Sequence, residues 1–125
     1  MDLRLLDATF SVCRLEPGAA LVIPPEDRTL WSVTRTADET SVICEQGMEP
    51  SGATVEPGWR GAVVEGPLEF SMVGVLADLT RATADAGVSV FALSTYDTDY
   101  LLFKADNLAR AVVALEGNGH RVTVS

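Results

Sequence analysis

Lysine is almost missing from this chain. Lys104 is the only one, and His120 is the only histidine. The other cations are eight scattered arginines, set against 18 acids for a net charge of -9. A nucleic-acid surface needs clustered cations to neutralise phosphates, so no nucleic-acid partner is expected. The same deficit argues against docking to an anionic membrane. A small charged ligand is not excluded, because a pocket need not share the net charge. Cysteine is scarce too: Cys13 and Cys44 stand far apart and form no CxxC pair. That removes a disulfide framework and suits reduced thiols in a cytoplasmic protein. No apolar run approaches the ~18 residues of a membrane span. Met1 to Asp7 carries two acids and lacks a signal peptide's basic start. What remains is 125 residues, 47 % of them hydrophobic: one ordinary domain or two very small ones.

The second half has the clearer pattern. Arg60 to Glu65 is a short strand candidate, stopped by Gly66-Pro67. Val75, Leu76, Leu79, Ala82, Thr83 and Ala86 recur at spacings of three and four, the signature of one helix face, and Gly87 follows as a stop. Val88 to Tyr96, rich in β-branched and aromatic residues, predicts a strand. Asp97-Thr98 is a turn, and Asp99 to Lys104 returns as the hairpin partner. Asp106 can cap a second helix with the stripe Leu108, Ala111, Val112 and Leu115. Gly117-Asn118-Gly119 ends it, and His120 to Val124 is the last strand. The order β-α-β-β-α-β is the split βαβ, or ferredoxin-like, unit: an α+β fold with two helices on one face of an antiparallel sheet.

The first half is a weaker copy. Thr9 to Leu15 is a strand, and Leu30 to Thr36 with Thr40 to Cys44 flank a hairpin turn. Thr36 and Asp38 stand as Thr95 and Asp97 do, at an offset of 59 residues, which suggests an internal repeat. Glu16 to Arg28 holds Pro17, Pro24 and Pro25, so the first helix of this copy is expected to be short. Gln46 to Pro57 reads as a linker. Two modules follow: a degenerate one with its linker over 1–57, and a complete one over 58–125. At ~60 residues neither could bury much alone.

Catalytic chemistry finds little support. No Cys, Ser or carboxylate is placed by sequence to work with His120, which reads as an exposed edge residue. One His and two separated Cys do not make a zinc site. Asp97 and Asp99 could chelate a hard cation, but a turn favours Asp for its backbone geometry. Gly117-Asn118-Gly119 lacks the helix a phosphate cradle needs. No catalytic residue, metal or cofactor is therefore expected. Cys13 and Cys44 fall on strands that neighbour each other in such a sheet and read as buried, inert thiols. The segment Leu68-Glu69-Phe70-Ser71 leads from a strand to a helix start, where free N–H groups suit a carboxylate. Ser71 can also be a plain cap, with Leu68 and Phe70 a hydrophobic staple.

The stretches Gly58-Trp59-Arg60, Glu65 to Ser71, Gly74-Val75-Leu76 and Ala86 to Tyr100 resemble the ACT-domain proteins. The likeness is to small tandem ACT proteins, a subgroup akin to animal cytosolic arginine sensors and to aspartate-kinase regulatory tails. Cys13-Arg14-Leu15 and Trp31 to Thr36 fit the first module of that group. The resemblance implies two βαββαβ modules and non-enzymatic sensing of a small molecule, an amino acid by preference. It implies a site built from a strand–helix loop and the facing second strand. Carried onto this chain, those positions are Leu68, Glu69, Phe70 and Ser71, with Ser89, Val90, Phe91, Ser94, Thr95, Asp97 and Thr98. Here the loop acid is Glu69, and Gly66 comes earlier than the family's usual glycine. The family's enzyme domain does not accompany these residues, so a separate regulated protein is implied, together with a homodimer. The alternative reading is an adaptor that pairs with a partner through its sheet edge.

Overall fold

The computed structural model describes residues 1–26, 28–66 and 73–124. Its elements are β1 (Asp2–Leu15), β2 (Ser32–Arg35), β3 (Thr40–Glu45), β4 (Thr54–Val64), α1 (Val75–Asp85), β5 (Phe91–Ser94), β6 (Asp99–Lys104), a 3-10 turn (Ala105–Asn107), α2 (Leu108–Gly117) and β7 (Arg121–Val124). The chain divides into two compact units. Unit 1 comprises Met1–Asp7 with Arg60–Ser125, and unit 2 is Ala8–Trp59. β1 and β4 contribute residues to both.

Unit 1 carries the expected order of strands and helices, with the strands side by side as β7-β1-β4-β6-β5. β5 and β6 pair antiparallel, from Phe91 opposite Leu102 to Ser94 opposite Asp99. The simple split βαβ pattern would set β7 directly beside β4. Instead the start of β1 fills that slot, parallel to β7, with Asp2 opposite Arg121 and Leu5 opposite Val124. Its carbonyls accept from both sides: Arg121 N–H to Met1 O at 2.9 Å and Glu65 N–H to Asp2 O at 2.8 Å. The physical reason is apolar. Leu3 is fully buried and Leu5 packs beside it, in the core that Ala62, Val64, Leu101 and Phe103 share with both helices. Leu79 and Ala82 of α1 and Ala111 and Leu115 of α2 supply the other side of that core. This is the helical spacing seen in the sequence.

The described residues of unit 2 are all strand and coil. Its order is β2-β3-β1-β4. β1 and β3 pair antiparallel, with Ser11 opposite Cys44 and Cys13 opposite Val42. β2 and β3 form the hairpin, from Ser32 opposite Ile43 to Arg35 opposite Thr40. The expected shortening of the first helix goes to completion: among the described residues between β1 and β2 there is no helical turn. Pro17, Pro24 and Pro25 each lack an N–H and leave too little uninterrupted chain to nucleate one.

The repeat is visible in the register. Adding 59 to each pair of the first hairpin gives the pairs of the second: Arg35–Thr40 becomes Ser94–Asp99, and Val33–Val42 becomes Ala92–Leu101. The turns match as well. Thr36 N–H donates to Glu39 O at 3.0 Å, and Thr95 N–H donates to Thr98 O at 2.8 Å. In each turn the threonine hydroxyl accepts from the last backbone N–H, of Glu39 at 3.1 Å and of Thr98 at 3.3 Å. A threonine at this corner satisfies turn N–H groups that no strand can reach.

Candidate functional site

The sequence-derived site falls on several parts of unit 1. Leu68, Glu69, Phe70 and Ser71 lie outside the described residues. On either side of them the geometry is defined. Before them, β4 ends at Val64 and continues through Glu65 and Gly66. After them, α1 starts at Val75 with Gly74 as its cap, in a left-handed conformation (φ 81°) and with no side-chain hydrogen bond to the first turn. The backbone at this cap needs a positive φ, which glycine adopts without strain.

Asp97 and Thr98 come to the end of β4. The Thr98 hydroxyl donates to Val64 O at 2.6 Å, tying the β5–β6 turn to the end of β4. Val63, Val64, Glu65, Gly66, Asp97 and Thr98 line a recess of about 270 Å³ there. Asp97 is exposed at its rim. Asp99 is occupied differently: its Oδ1 accepts from the Ser94 hydroxyl at 2.6 Å, within the hairpin. Thr95 is spent on its turn. The structure thus separates the two acids, and no cluster of three metal-ligating side chains occurs among the described residues.

Ser89 and Val90 sit elsewhere. With Thr80, Ala84, Gly87 and Val88 they border a shallow groove of about 560 Å³ beside α1. Phe91 is half-buried at the start of β5, opposite Leu102. Of the described positions, then, only Asp97 and Thr98 meet the strand end that opens the loop.

Three further features stand out; the sequence reading missed the first and the third and anticipated the second. His120 is buried, not exposed: its Nδ1 lies 3.0 Å from the Met1 amine and its Nε2 3.1 Å from Asp78 Oδ2. The Gly119 turn (φ 88°) and the N–H of His120 on Leu115 O at 3.1 Å swing the ring under α1. The thiols of Cys13 and Cys44 are buried neighbours in unit 2, as the strand order suggested. Burial, then the adjoining Cys13, pushes the Cys44 thiol from an ordinary 9.0 up to about 12, and burial raises Cys13 as well. Both are neutral thiols at physiological pH. The third feature is a cavity of about 400 Å³ in unit 2, between the 20–31 coil and the 44–51 turn. Nothing in the apolar pattern of either segment marks it.

The family model for the ACT domain matches residues 54–117, just over half of the chain. The chain belongs to the ACT-domain family. ACT domains are regulatory modules that bind small molecules, not catalytic ones. No curated protein matches the chain. Among solved structures, an Agrobacterium tumefaciens protein is similar over 99 % of this chain and 92 % of its own, at 27 % identity and a TM-score of 0.90. A Vibrio cholerae protein of unknown function, described as a possible transport protein, gives a TM-score of 0.71 at 14 % identity, over 94 % of this chain and 88 % of its own. The regulatory subunit of the Thermus thermophilus aspartate kinase gives 0.61 at 13 % identity, over 91 % of this chain and 95 % of its own. The last two share the fold. No described helix of this ACT protein is long and apolar enough to cross a membrane.

Proposed function

We propose that this ACT protein is a non-catalytic, cytoplasmic sensor of a free amino acid, organised as two modules that meet in sequence near residue 57. It acts on a separate protein. The single observation that carries the reading is the lock of Thr98 onto Val64 O, which holds the Asp97 carboxylate beside the start of the loop between β4 and α1. A free amino acid brings one cation and one anion. Asp97, with Glu69 from the loop, suits the ammonium group. The N–H groups that open α1, left without a side-chain cap, suit the carboxylate. Ser89, Val90, Phe91, Ser94 and Thr95 are the strand positions proposed for the side chain of the ligand, on the analogy of the family.

The test begins with a thermal-shift screen of the standard amino acids and common nucleotides, since a ligand bound only by the folded state raises its melting temperature. Asp97→Asn then separates charge from turn geometry. It should weaken the amino acid found by the screen about tenfold, as loss of one charged contact does, with the melting temperature of the free protein unchanged. Unchanged affinity in calorimetry removes the ammonium contact at Asp97. A screen without any hit favours the adaptor reading, which β5 supports by ending the strand order of unit 1 with no described strand on its outer side.

A further inference from the structure

In unit 2 no described helix covers the sheet face that helices cover in unit 1. The offset of 59 pairs Val42 with Leu101 and Cys44 with Phe103. In unit 1, Leu101 and Phe103 are the strand residues that both helices cover. In unit 2, Val42 and Cys44 are covered instead by Ala19, Leu21, Trp31 and Ala53, mostly from coil. A single coil brings fewer side chains to a sheet than two helices do, and a thiol fills far less space than a phenyl ring. The cavity of about 400 Å³, with Cys44 in its lining, is the volume this exchange leaves behind. That is the size of a small-molecule pocket, and its construction matches one: apolar walls with a few polar groups.

The walls include Leu21, Ile23, Leu30, Trp31 and Met48. The polar side chains are Arg28, Glu45, Glu49 and Ser51, of which the first three are charged. Arg28 Nη1 lies 3.9 Å from Glu45 Oε1, and the other Glu45 oxygen accepts the Thr29 N–H at 2.9 Å. Glu49 accepts from the Ser11 hydroxyl at 2.6 Å and the Gly47 N–H at 3.0 Å. These donors hold Glu49 below the usual carboxylate range, so it stays ionised, yet they bring no positive charge. Among the described residues the lining carries two carboxylates against one guanidinium, in a chain of net charge -9. An anionic ligand meets the wrong field.

We propose that unit 2 binds a small organic amine, its aromatic or branched aliphatic body seated against Cys44 and Trp31 and its ammonium group on Glu49. This pocket shares no residue with the recess at Val64 and Asp97, so the proposal stands independently of the amino-acid reading. Two probes with matched bodies and opposite charge test it: 2-phenylethylamine and 3-phenylpropionate, titrated calorimetrically into the full chain. The amine should bind at least about tenfold more tightly than the carboxylate. Glu49→Gln should lower the amine affinity about tenfold and narrow the difference between the probes. Cys44→Phe restores the ring found at Phe103 and should abolish binding by filling the cavity. Should that variant not fold, Ile23→Ser serves in its place, because Ile23 is 78 % exposed and the fold does not depend on it. It should weaken the amine as well. The proposal is overturned if neither probe binds, if the carboxylate binds as well as the amine, or if a folded Cys44→Phe protein binds the amine normally.

Discussion

Cys44 shows how much one position decides. Its sequence context, a β-branched strand, says only that it is buried. Its counterpart Phe103 fills the space under two helices, while Cys44 lines a cavity. Because burial lifts its pKa from 9.0 to about 12, the fold favours the neutral thiol. The sign follows directly. This contribution to stability is complete below pH 9.0 and is lost as the pH rises toward 12. It also controls reactivity, since the thiolate is the nucleophile. Each unit of pKa elevation lowers the thiolate fraction about tenfold. At pH 8, iodoacetamide should therefore alkylate Cys44 at least about 100-fold more slowly in the folded chain than in the urea-unfolded chain. Mass spectrometry of the Cys44 peptide over time reads this. Equal rates would mean that the thiol is neither buried nor protonated by the fold.

Among the elements, β1 departs most from its sequence reading. Thr9 to Leu15 was legible as a strand from its composition. The preceding residues were not, although Asp2-Leu3-Arg4-Leu5 alternates polar with apolar as a half-buried strand does. Four residues of alternation carry little weight without knowledge of a partner. The partner is β7, more than a hundred residues away, and the pairing exists because Leu3 completes a core built by the C-terminal segment. Leu3→Ala should destabilise the protein by about 2–5 kcal/mol, the range for truncating a fully buried leucine. Chemical denaturation measures it. A loss below 0.5 kcal/mol, typical of surface positions, would contradict the inserted strand. The hairpins behaved in the opposite way. Their offset of 59 was readable from two identities, and the matching registers and threonine corners bear it out. Turn chemistry is local, so a short window contains it.

For the whole molecule, the feature with a consequence for assembly is the outer side of β5, on which no described strand pairs. A strand whose N–H and C=O groups face outward on one side satisfies them with water or with another strand. The family analogy implies sheet-to-sheet pairing of two chains, so the sensor is proposed to be a homodimer. Light scattering should give twice the chain mass, and Ala92→Pro should return it to the monomer mass: Thr95 N–H points across the hairpin to Thr98 O, so by alternation the N–H of Ala92 points away from β6 and is the one this variant removes. Circular dichroism checks that the variant remains folded. A strict monomer at high concentration, with the unmodified sequence, ends the dimer proposal.

Local physics was available to the sequence by itself. Helical spacing located α1 and α2, β-branched runs and turn residues located β2, β3, β5 and β6, and three prolines denied unit 2 its first helix. Those signals depend on a residue and its near neighbours, so they survive without any knowledge of the fold. The charge balance similarly argued against partners that need clustered cations. Tertiary structure alone decided that Asp2–Leu5 lies beside β7, that His120 is buried under α1, and that Asp97, not Asp99, faces the end of β4. It also decided that Cys44 meets a cavity where Phe103 meets helices. Each of these is a contact between segments distant in sequence, set by which apolar surfaces leave water together. Burial of that kind is non-directional and is shared among all the surfaces available, so no single segment encodes its own partner.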